Sequence, residues 1–203
     1  MSPHPARRPR VPRYFRAPPR IPTRADIDAC LRGTDERPRD LLLVAVAAGT
    51  GLRVHELVAL DCEQLVTDSG AVRHGVHLRA EDTKGGVGGD VVLNEALRWK
   101  VARYRTWCAR RSHAVDGNAP VFVSRNHRRL SVRMAQEAWR TVQRLAGIER
   151  PYPFHALRHY FGTSLYKATK DLRLTQVAMR HRSASSTELY VHPRGHPGGA
   201  PPA

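Results

Sequence analysis

Acidic residues are scarce in this chain: 18 Asp and Glu stand against 34 Lys and Arg, a formal charge of +16 over 203 residues. Such a field repels cationic partners and favours polyanions, so nucleic acid is the partner class that charge points to. Cysteine is almost as scarce. Cys30, Cys62 and Cys108 are odd in number, widely spaced and form no CxxC pair, which argues against a disulfide framework and fits reduced thiols in a cytosolic protein. No run of about 18 apolar residues occurs, and no apolar stretch follows the basic N-terminus, so neither a membrane-spanning helix nor a secretion signal is expected. The eleven histidines lie at no HExxH-like spacing with Cys or carboxylates nearby. The expectation is a cytoplasmic protein without metal or other cofactor.

What is present is unevenly placed. Residues 1 to 22 hold six arginines, no acid and a scatter of prolines, too little apolar surface to offset the cost of ordering. They read as a disordered basic arm, with Arg7, Arg8, Arg10, Arg13, Arg16 and Arg20 as its DNA contacts. Residues 194 to 203, rich in Pro and Gly, read as a tail. Between them, residues 23 to 193 form one domain, since 41% apolar content supports a single core at this length. Of the 34 basic residues 30 are Arg, which suits forked binding of phosphate but equally follows from a genome rich in G and C.

Hydrophobic periodicity makes the domain mainly helical. Thr23 caps a helix to about residue 31, and Asp40 caps another to about 48, whose LLLVAVAA run is apolar all round and therefore buried, with Gly49 as its stop. A helix over 54 to 60 follows. Residues 72 to 79 and 90 to 94 favour strands on either side of TKGGVGGD, a hairpin with a glycine-rich turn. Asn94 caps a helix that carries Leu97, Val101, Tyr104 and Cys108 on one face. A brief strand over 121 to 124 leads to a helix over 131 to 146, with Val132, Trp139 and Val142 inward. Helices over 155 to 167, 172 to 181 and 185 to 191 complete the order, which is that of an α+β domain with a small antiparallel sheet at one edge.

Four words stand out: TGLRVHEL at 50 to 57, DTKGG at 82 to 86, HALRHYFGT at 155 to 163 and MRHRSASSTELYVHP at 179 to 193. Each alone is ordinary, because basic side chains on helices and turns are usually just solvated. Their order and spacing together resemble the catalytic domain of the tyrosine recombinases, the group that contains the phage integrases. That family carries a TGLR-x-x-EL word, a lysine in a β-hairpin turn, an H-x-L-R-H-x-F-x-T word, and a His or Trp nine residues before a Tyr. The matching positions here are Arg53, Lys84, His155, Arg158, His181 and Tyr190.

The resemblance implies the mainly helical recombinase fold and a reaction without cofactors, in which Tyr190 attacks a DNA phosphodiester and becomes a 3′-phosphotyrosine. The chemistry explains the residue types. Negative charge grows on the nonbridging oxygens, and the guanidiniums of Arg53 and Arg158 are suited to cradle it. A phenol has a pKa near 10 and needs help to lose its proton, a task for His155 as general base or orienting group. By resemblance, Lys84 protonates the leaving 5′ oxygen and His181 hydrogen-bonds the phosphate. Glu56 and His159 support these groups from behind, and His55 is read as a surface residue.

Three departures from the family stand beside the match. Relatives carry a helical DNA-clamping domain ahead of the catalytic one, where only 22 residues precede Thr23 here. Arg180 occupies the glycine of the usual LGH word, which threatens the placement of His181. The Gly/Pro tail does not suit the C-terminal helix that relatives dock on a neighbouring protomer. The partners expected are double-stranded DNA and a homotetramer, or a partner recombinase, assembled on it. The competing readings are a DNA-binding relic or regulator of a mobile element, and a type IB topoisomerase-like activity.

If the arm supplies affinity, deleting residues 2 to 20 should reduce the steepness of the slope of log K against log salt by a few units, since each neutralised phosphate contributes about −0.9. A salt titration of DNA binding by both forms checks this, and an unchanged slope would remove the arm from binding.

Overall fold

A computed structural model describes residues 19–32, 36–83, 86 and 88–180. In chain order the elements are α1 (Arg24–Arg32), α2 (Pro38–Thr50), α3 (Val54–Ala59), α4 (Cys62–Leu65), β1 (Gly75–Leu78), β2 (Gly89–Val92), α5 (Glu95–Ala109), α6 (Val132–Leu145), α7 (His155–Thr169) and α8 (Leu172–Ala178). The expected α+β class holds, with a two-stranded antiparallel sheet that pairs Gly75 with Val92 and Leu78 with Gly89.

The organising element is α2. Its residues from Leu41 through Ala48 are all buried, and α1, α3, α5, α6 and α7 pack around it. An apolar run of this length cannot present a polar face, so it folds only as the middle of a helical layer. Each of its Leu and Val side chains contributes roughly 1.5–3 kcal/mol on burial. Neighbouring helices show one apolar stripe each: Leu97, Val101, Tyr104 and Cys108 on α5, and Ala135, Ala138, Trp139 and Val142 on α6.

Polar contacts then fix where the elements begin. Thr23 and Asp26 form a reciprocal cap at the start of α1, with the Thr23 amide donating to the Asp26 carboxylate at 2.8 Å and the Asp26 amide donating to the Thr23 hydroxyl at 3.1 Å. Asn94, Ser131 and Asp171 accept backbone N–H groups at the starts of α5, α6 and α8. The segment leading into α7 is clamped from α6. The carbonyl of Tyr152 accepts from Trp139 Nε1 at 2.9 Å and from Gln143 Nε2 at 3.1 Å, while Gln143 Oε1 accepts from the Tyr152 amide at 2.6 Å. The far end of α3 is also held. Arg129 donates to the carbonyls of Val58, Ala59 and Leu60, and the buried Asp61 carboxylate joins Arg129 to Arg79.

Several expectations change. Pro38, with φ preset for a first helical turn, starts α2 ahead of Asp40, which lies buried in that turn with Arg37 and Arg39 as ion-pair partners. Gly49 does not stop the helix. The stop is Gly51, left-handed at φ 65°, whose amide donates to the Ala47 carbonyl. Both strands are shorter than expected, and a 3₁₀ turn over Ala80–Asp82 follows β1. Residues 121 to 124 are not a regular strand and make only an isolated bridge, Val123 to Arg129. Val132 is half-buried at the margin of the core. α8 ends at Ala178, earlier than expected. The helix expected over 185 to 191, the tail, and the arm apart from residues 19 to 22 lie outside the described residues.

Gly49 has a packing reason instead of a conformational one. A Cβ built there would sit 2.8 Å from Leu97 Cδ1, inside the α2–α5 contact. Gly49→Ala should therefore lower stability by about 1–3 kcal/mol, and adding Leu97→Val should recover part of the loss. Denaturant titration of the two single variants and the double variant measures the coupling, and simple additivity would count against this contact.

Candidate active site

α7 reaches the left-handed turn at Gly51 that separates α2 from α3. Arg53 is the residue before α3, and Glu56 is its third helical residue. The Glu56 carboxylate, only 1% exposed, reaches back to accept the Arg53 amide at 2.7 Å and the Arg53 guanidinium at 2.9 Å. Burial by itself raises the Glu56 pKa, but the Arg53 amide and the charges of Arg180 and Arg53 outweigh it and hold the carboxyl below its ordinary value. Glu56 is therefore an anion that fixes the Arg53 side chain in one place.

Arg158 lies on the first turn of α7 and is 2% exposed. Its Nη1 donates to the Gly51 carbonyl at 2.5 Å and its Nη2 to the Met179 carbonyl. One guanidinium thus ties the turn before α3 to the chain just after α8. His155 and His159 flank it at helical spacing, with ring centroids 4.8 Å apart in an edge-to-face arrangement. His155 is exposed at the start of α7, where the helix end favours an anion. Surrounding protein, together with the charges of Arg158 and Arg53, lowers its pKa and keeps the ring neutral at pH 7, the form a base needs.

The fold therefore brings Arg53, Glu56, His155, Arg158 and His159 into one region. Lys84, His181 and Tyr190 lie outside the described residues. Two sequence readings are corrected here. His55 is not a surface residue; it is half-buried, and its Nε2 has no hydrogen-bond partner among the described residues. Arg180 is not only an awkward replacement for glycine. It adopts a left-handed conformation at φ 51° and donates Nη2 to Glu56 Oε2 at 2.8 Å, entering the cluster as a third guanidinium. The signal available in the sequence was the MRH word itself, but nothing in it indicated which way the side chain turns. A separate concavity of about 670 Å³ lies at the opposite end of α2, against Arg37, Trp107, Arg111 and His127, and contains none of the candidate residues.

A family model described as the phage integrase family matches residues 25–196. The chain belongs to the phage integrase family. The integrase-family chain is 33% identical over 157 residues to a tyrosine recombinase XerC of Azotobacter vinelandii, covering 76% of this chain and 48% of the relative. It is 32% identical over 212 residues to a tyrosine recombinase XerD of Xanthomonas campestris pv. campestris, covering 93% and 62%. Among solved structures, XerA recombinase superposes with a TM-score of 0.72 at 24% identity, over 90% of this chain and 64% of that one. A lambda integrase dimer bound to a COC′ core site gives 0.68 at 16%, over 92% and 64%. The integrase-family chain thus spans about half to three fifths of the length of these curated relatives.

The histidine pair has a measurable consequence for stability. Burial, His155 and Arg158 lower the His159 pKa from 6.5 to about 4. Between those values the unfolded chain binds the proton and the folded one does not, so stability falls as pH drops from 6.5 toward 4. The full shift corresponds to about 3 kcal/mol, and partial exposure reduces it to roughly 1–2 kcal/mol. His159→Gln should make the acid limb of stability against pH shallower by that amount. Denaturant midpoints at pH 4.5 and 7.5 check it, and an unchanged pH dependence would show that His159 is protonated alike in both states.

Proposed function

We propose that this chain is a site-specific DNA recombinase that cleaves and rejoins strands through a 3′-phosphotyrosine on Tyr190. The observation that carries the reading is the cluster of Arg53, Glu56 and Arg158 beside His155. Two arginines held in fixed positions, one by a buried carboxylate and one by two carbonyls, form a preorganised cationic site for a phosphate whose charge grows during reaction.

In this mechanism the Tyr190 oxygen attacks phosphorus and passes its proton to His155. The phosphorus–O5′ bond breaks, and Lys84 protonates the departing oxygen. Arg53, Arg158 and His181 hold the nonbridging oxygens, while Glu56 and His159 keep the arginines and His155 in place. The broken bond's energy is kept in the phosphotyrosine, so the 5′-hydroxyl of a second strand reverses the step and releases Tyr190 without ATP or metal. Integration, excision and inversion use the same chemistry.

The partner is double-stranded DNA, with an oligomer assembled on it. One structural neighbour is a XerH recombinase bound to difH in a post-cleavage complex, and another is a lambda integrase tetramer bound to a Holliday junction. We extend both features to this chain as a homotetramer, or an assembly with a partner recombinase, acting in the cytoplasm. The arginines of residues 7 to 20 add phosphate contacts to this assembly.

Nicked duplexes carrying inverted repeats from the DNA around the gene test the reading. Wild type should trap a covalent protein–DNA adduct, and Tyr190→Phe should trap none. Arg53→Ala and Arg158→Lys should bind the same DNA but cleave at least about 10²-fold more slowly, as loss of an oxyanion-type donor does. An adduct in the phenylalanine variant would remove Tyr190 from its role. Relaxation of supercoils without any defined site would favour topoisomerase-like activity.

A further inference from the structure

Arg180 is placed at a cost and is not fully satisfied. Its left-handed φ of 51° is a conformation that favours glycine. Its side chain is only 13% exposed, and Nη1 is buried with no hydrogen-bond partner among the described residues. A guanidinium N–H taken from water without an acceptor is destabilising, and among the described residues this donor is left open.

Nearby acceptors do not resolve it. Glu56 Oε2 already receives Arg180 Nη2 and the Arg53 amide, and Oε1 receives the Arg53 guanidinium. The Arg180 stem is held on its other side by the hairpin: a Cβ built on Gly89 would lie 3.0 Å from Arg180 Cδ. Burial lowers the Arg180 pKa, the Glu56 carboxylate opposes that shift, and the Arg53 charge adds to it. Among the described residues, the cluster of Arg53, Arg158, Arg180 and Glu56 thus has three cations for one anion. That surplus and the open donor both call for an anion with acceptor oxygens.

We propose that Arg180 is a third phosphate-binding guanidinium of the site, donating Nη1 to a nonbridging oxygen of the scissile phosphate while Nη2 remains on Glu56. The inference rests on reading the site as one for a DNA phosphodiester. A phosphodiester under attack gains a second negative charge, and a third guanidinium there stabilises the attacked state more than the resting one. Arg180 also divides the Glu56 carboxylate with Arg53, so neither arginine is neutralised by a carboxylate of its own.

The test has two arms, both on the full chain. In the first, inorganic phosphate binding is measured by calorimetry for wild type, Arg180→Gly and Arg180→Met. Both variants should bind phosphate about tenfold more weakly, the loss expected for one charge-assisted hydrogen bond. Glycine should fold at least as well as arginine because it accepts the left-handed φ. If it does not fold, methionine, with a stem of similar length and no charge, decides alone.

In the second arm, adduct formation is followed on the nicked inverted-repeat duplexes, with a natural phosphodiester or a methylphosphonate at the scissile position. Arg180→Gly should lose about 10²-fold on the natural substrate and far less on the methylphosphonate, which lacks one of the charged oxygens. Unchanged phosphate affinity, or equal losses on the two substrates, would overturn the proposal and leave Arg180 as a brace for Glu56. Wild type that forms no adduct, while the Arg180 variants still lose phosphate affinity, would refute the recombinase reading and keep the phosphate site.

Discussion

A guanidinium taken out of water must find oxygen atoms for its N–H groups, and Arg158 finds them in the carbonyls of Gly51 and Met179. That demand joins three parts of the chain distant in sequence: the left-handed stop of α2, the first turn of α7 and the residue just after α8. Met179 is itself fully buried, so the chain is pinned immediately before Arg180 by both packing and a charge-assisted hydrogen bond. The position of Arg53, two residues beyond Gly51, depends on the same turn. Removing the Arg158 fork would leave two inward carbonyls without their donor and release both sides of the site together.

Electrostatics in the cluster follow from how few anions its described residues contain. Glu56 is buried and ionised because Arg53 and Arg180 surround it, and its two oxygens are shared among three donors of the described residues. It therefore orients cations without cancelling their field. Burial first, and that field second, lower the pKa of His155 and His159, which favours the neutral, proton-accepting ring. The same arrangement that readies the site for an anion thus makes the fold sensitive to acid, one site serving function at the expense of stability.

Rigidity comes from behind the site. α2 is surrounded by other helices, α6 clamps the loop that starts α7 through Trp139 and Gln143, and Arg129 caps the end of α3. A site on the ends of short elements is held only as well as those ends are held, and here each described one has a named polar anchor.

Much was determined by the sequence alone. The LLLVAVAA run required a buried helix, the capping residues Thr23 and Asn94 marked true helix starts, and the stripe from Leu97 to Cys108 lies on the inner face of α5. These are local: a period of 3.6 residues and a capping side chain act within one or two turns of where they are written. The HALRH word likewise places His155, Arg158 and His159 on one helical face whatever that helix packs against. What the tertiary structure alone decided is which oxygens those cations use. The stop at Gly51 instead of Gly49 turns on Leu97 lying against one glycine and the chain reversing at the other. The role of Arg180 turns on a carboxylate 124 residues earlier and a hairpin glycine under its stem. A charged side chain chooses its partners by distance and burial, and neither is defined until the chain has folded.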